Sequence, residues 1–63
     1  MMNETNIEWH VQTTQHGEDC ATRIKTTTAP YLNGDGVWEF AHGQNVVLLV
    51  PSQNVLYIKR IVA

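Results

Sequence analysis

The chain lacks most of what a small domain uses to hold itself together. It has one cysteine, Cys20, so no disulfide can close within it. Basic residues are scarce: Arg23, Lys25, Lys59 and Arg60 stand against six acidic residues, and the formal net charge is −2. That balance argues against a protein that grips duplex nucleic acid by broad phosphate neutralisation. Long apolar runs are missing too. The longest, Val46 to Val50, stops at Pro51 and falls far short of a membrane-crossing helix. No segment keeps a helical 3.6-residue period, which excludes a helical bundle. The first ten residues carry Glu4 and Glu8 but no Lys or Arg, unlike the basic start of a secretory leader. With a single thiol, the expected address is cytoplasmic.

What is present is strand-forming sequence cut by turns. Met1–Asn6 is polar and is expected to fray. From Ile7 the chain alternates, with Ile7, Trp9 and Val11 on one face and Glu8, His10 and Gln12 on the other. Gln15-His16-Gly17-Glu18-Asp19 is a polar break suited to a hairpin loop. Ala21–Ala29 is rich in threonine, whose branched Cβ favours extended backbone. It places Thr22, Ile24, Thr26 and Thr28 on one face, and Pro30 ends its pairing. Tyr31 and Leu32 lead into Asn33-Gly34-Asp35-Gly36, the strongest turn signal in the chain. Val37–Ala41 follows, then a turn at His42-Gly43-Gln44, then two dense β-forming runs, Asn45–Val50 and Asn54–Val62, around a Pro51-Ser52-Gln53-Asn54 break.

These segments predict one all-β domain over residues 1–63, a small five-stranded barrel or strongly curved antiparallel sheet. Sixty-three residues is near the lower limit for folding on an internal core. Domains of this size usually add a disulfide, a metal or a partner chain. The disulfide is excluded, and the last two runs are apolar at successive positions, so both of their faces want cover. The expected partner is another copy of the chain, with Val55, Leu56, Tyr57 and Ile58 at the contact. Strict alternation would put Val55, Tyr57 and Lys59 on one face and Leu56, Ile58 and Arg60 on the other.

Other chemistries are set aside residue by residue. His10, His16, Cys20 and His42 are zinc-type ligands, but no Cys-x-x-Cys or His-x-x-x-His spacing joins them, and surface histidines with a small buried cysteine explain them as well. No cofactor is expected. The Asn33–Gly36 stretch holds a single carboxylate, too few oxygen ligands for calcium, and a hairpin turn accounts for it. Ser52 has no adjacent base and Cys20 no catalytic motif around it, so an enzyme is not expected. Single-stranded nucleic acid is a further alternative, since aromatic platforms beside a few cations suffice for it. Lys25, Lys59 and Arg60 would supply the cations. The competing reading puts Trp9, Trp38 and Phe40 in the core and Tyr57 at a subunit contact.

The stretch Val50-Pro51-Ser52-Gln53-Asn54-Val55-Leu56-Tyr57-Ile58 resembles the closing hairpin of Sm-like RNA-binding proteins. That resemblance covers about a quarter of the chain and implies a small barrel assembling into a ring, its last strand pairing with the next subunit. The Arg-Gly that opens the bend in that family is Pro51-Ser52 here, and the aspartate–asparagine motif of its central hairpin has no counterpart. No RNA-contact residue carries over. The functional expectation is therefore a non-catalytic binding or scaffold module acting as a homo-oligomer, with an Sm-like or similar nucleic-acid-binding barrel as the alternative. A ligand sensor with its pocket between subunits is a third class.

Overall fold

The computed structural model describes residues 6–62. Six strands run in chain order: β1 (Ile7–Gln15), β2 (Glu18–Thr26), β3 (Tyr31–Leu32), β4 (Val37–His42), β5 (Asn45–Pro51) and β6 (Val55–Ile61). A single 3-10 turn, Ser52–Asn54, separates β5 from β6. The all-β expectation holds. The expected fraying of Met1–Asn6 lies outside the described residues except at Asn6, whose Oδ1 is 2.9 Å from His42 Nε2.

The strands form two antiparallel three-stranded sheets, ordered β2-β1-β6 and β3-β4-β5, and no closed barrel is formed among the described residues. The chain changes sheet twice. It leaves the first after β2 and returns through the 3-10 turn, so β5 and β6 follow one another yet occupy edges of different sheets. Sequence alternation predicts five strands. The sixth is the two-residue β3, which follows Pro30 and pairs Tyr31 with Glu39 and Leu32 with Trp38.

The first hairpin is longer than its sequence suggests. Gln15 pairs with Glu18, leaving a two-residue turn of His16 and Gly17 with φ of 54° and 79°. Positive φ at both central positions matches the twist of the flanking strands. The second turn is organised by Asn33. Its Oδ1 accepts from the backbone N–H of Asp35 at 2.8 Å and of Val37 at 3.1 Å. Gly36 adopts φ 77°, and its carbonyl accepts from Ser52 N at 2.8 Å, which ties this turn to the 3-10 turn.

Between the sheets lies a small core. Val11 and Phe40 are fully buried and Val50 nearly so, with Trp9, Ile24, Trp38, Leu48, Val55 and Ile58 packed around them. Thr26 is the one buried polar residue among those described. It accepts from Trp9 Nε1 at 2.8 Å and donates to the carbonyl of Thr28 at 2.6 Å, so the cost of burying an unpaired hydroxyl does not arise. Just beyond it, Thr27 N donates to Ala41 O at 3.1 Å and Thr27 Oγ1 accepts from Gly43 N at 2.8 Å. These bonds fix the end of β2 to the second sheet, and they stop the strand at Thr26 rather than Ala29.

Two bulges break the alternation that the sequence implies. Gln12 pairs with Tyr57 and Thr13 with Val55, so Leu56 is an extra residue in β6. Likewise Phe40 pairs with Leu48 and Ala41 with Val46, which leaves Val47 extra in β5. Because of the first bulge, Val55 and Ile58 both turn to the core rather than to opposite faces.

Candidate functional site

Pairing registers assign side chains to two outer faces of opposite character. On the outer face of the first sheet, Arg23, His10 and Lys59 form one cross-strand row, because His10 pairs with both of the others. A neighbouring row holds Ala21, Gln12 and Tyr57, and the row on the other side holds Lys25, Glu8 and Ile61. The His10 and Tyr57 rings stack with centroids 5.6 Å apart and planes inclined by 10°. His10 Nε2 lies 3.1 Å from Gln12 Oε1, which fixes the imidazole plane. Arg23 is 2.7 Å from Glu8 Oε2, an exposed pair of small energetic weight that leaves other guanidinium donors pointing to solvent.

Arg60 pairs with Trp9 and so belongs by register to the inner side. It is nevertheless exposed, and with His10, Tyr57 and Lys59 it lines a shallow groove along β6. Of the three cations named from sequence, Lys59 and Arg60 share that groove, while Lys25 lies on the same outer sheet face across β1. Arg23 and His10 complete the group. From sequence His10 stands out only as a metal ligand, because its neighbours come from strands remote in the chain.

The outer face of the second sheet is apolar. Tyr31, Glu39 and Leu49 form one row, Ala41 pairs with Val46, and Val37 pairs with Pro51. Tyr31, Leu49 and Val46 are each more than half exposed, at 62%, 59% and 52%. The bulged Val47 is exposed as well. Glu39, the one charge in these rows, accepts from Asn33 Nδ2 at 2.7 Å. Of the four expected contact residues, Val55 and Ile58 pack on the core, Leu56 is exposed at its bulge, and Tyr57 is exposed on the other sheet's outer face.

A cleft opens between the sheets where the first hairpin outruns β6. Val11, Leu48 and Val50 contribute its apolar lining, and Thr13, Thr22 and Asn54 its polar groups. Among the described residues no group of three or more His, Cys, Asp or Glu is placed to hold a metal ion. His16 sits in the first turn and Cys20, expected to be buried, is instead exposed on β2, while His42 bonds Asn6 and His10 stacks on Tyr57. No helix of the described residues is long and apolar enough to cross a membrane. No family model matches the chain, and no curated protein or solved structure is significantly similar to it.

Proposed function

We propose that the protein is a non-catalytic binding or scaffold module that works as a homo-oligomer. The observation that carries this reading is the apolar outer face of the second sheet, where Tyr31, Leu49 and Val46 stand exposed in cross-strand register. Grouped apolar surface on a small protein marks a contact site. The strand that carries most of it, β5, is also a sheet edge, and an edge left uncovered invites pairing. Leu56 and Val47 add exposed apolar side chains at the two bulges. A two-fold contact uses the same patch on both copies, so one apolar face suffices.

Association that covers this face makes folding stability depend on protein concentration. The thermal midpoint of the wild-type chain is expected to rise with concentration, and that of Leu49→Asp to be independent of it. A wild-type midpoint that does not move with concentration overturns the proposal.

A further inference from the structure

We infer that the outer face of the first sheet, on the side away from the core, binds a single-stranded nucleic acid. Tyr57 is the stacking platform, and Arg23, Lys25 and Lys59, which share that face by register, are the phosphate contacts. This surface is separate from the self-association face and from the Pro51–Asn54 bend.

Charge complementarity is the first argument. The chain is acidic overall, yet all four of its Lys and Arg residues lie on β2 and β6, the two strands flanking β1. Three of them, Arg23, Lys25 and Lys59, share one sheet face by register. Between Arg23 and Lys59 lies His10, so these two cations are two strand spacings apart, about 10 Å. Cations at that separation can meet different phosphates of one extended strand.

The second argument is the aromatic ring among them. Tyr57 is 49% exposed, and the imidazole of His10 stacks on it and restricts its orientation. A ring braced by a stacked neighbour and still half exposed to solvent is suited to accept a base, and stacking of this kind is tolerant of sequence. An acidic peptide would use the cations and leave the ring idle. A duplex keeps its bases stacked inside, and a patch of so few cations is too small to hold it by phosphate contacts alone. Glu8 on the same face pairs with Arg23 and lowers the affinity without closing the site.

The test is fluorescence anisotropy of the full chain with labelled single-stranded oligonucleotides, a duplex of the same length, and a salt series. Single strands are expected to bind more tightly than duplex. With three phosphates neutralised, the slope of log affinity against log salt is about −2. Tyr57→Leu, which keeps an apolar side chain at its bulge-adjacent position, should weaken binding by roughly 5- to 100-fold. Lys59→Gln, at an exposed position, should reduce the slope by about 0.7. Far-UV circular dichroism confirms that each variant is folded. Absence of single-strand binding, equal affinity for duplex, binding indifferent to Tyr57→Leu, or binding only to vesicles of anionic lipid overturns the inference.

Discussion

The indole N–H of Trp9 donates to the hydroxyl of Thr26 at 2.8 Å across the first hairpin, joining residues seventeen apart in the chain. Thr26 is fully buried and donates its own hydroxyl proton to the carbonyl of Thr28. The pair thus sets the orientation of a large ring packed on the core at the last residue of β2.

Thr26→Val keeps the shape of the side chain and leaves the indole donor without its acceptor. An orphaned buried donor costs about 1–3 kcal/mol. Urea unfolding should show a loss of that size, with Thr26→Ser losing less because it keeps the hydroxyl.

Phe40 fills the middle of the core and is completely buried. Truncation to alanine removes about 3–5 kcal/mol from a chain with few other buried side chains. Phe40→Ala is expected to lose the dispersed amide spectrum of a folded β protein at room temperature, whereas Phe40→Leu retains it.

The Asn33 side chain serves three partners, accepting from the N–H groups of Asp35 and Val37 and donating to Glu39. Asn33→Ala is expected to destabilise the chain by about 1–2 kcal/mol. Faster hydrogen exchange at Asp35 and Val37, with little change in the first sheet, would identify the turn as the place where it acts.

Gly36 holds φ at 77° beside Ser52 Oγ, and a Cβ added at this glycine would lie 3.7 Å from that oxygen. Space is adequate there, so backbone conformation decides the outcome. Gly36→Ala should cost about 1 kcal/mol or more through strain alone, measured as a lower urea midpoint at unchanged slope.

Glu8 and Arg23 form an ion pair on the outer face of the first sheet, with side chains 32% and 63% exposed. Glu8→Gln is expected to change stability by less than about 1 kcal/mol. By releasing Arg23 it should at the same time raise affinity for single-stranded nucleic acid, readable in the same anisotropy experiment.

Much of the architecture was legible in local sequence. Alternation gave the inner face of β1 as Ile7, Trp9 and Val11, and the glycines marked all three hairpin turns. The two bulges were not legible, since strict alternation assumes that no residue is inserted. Leu56 and Val47 each break that rule, and Val55 and Ile58 consequently turn inward together. The two-residue β3 was hidden because a strand so short has no period of its own. The cationic row was only half visible. Lys59 and Arg60 are neighbours in sequence, but their meeting with His10 depends on β6 crossing back to pair with β1, a register decided by the whole fold. Separation into two sheets rather than one barrel follows from where the chain crosses over, at residues 27–30 and at the 3-10 turn; Pro30 and Pro51 mark both places as breaks, but nothing local says that the chain changes sheet there.

Self-association is the claim on which the functional account rests, and light scattering on a sizing column at two protein concentrations measures it directly. The account predicts a discrete oligomer for the wild-type chain and a folded monomer for Leu49→Asp. A wild-type chain that elutes with the mass of a monomer at both concentrations would contradict it, and would mean that the apolar face of the second sheet stands in water as it is.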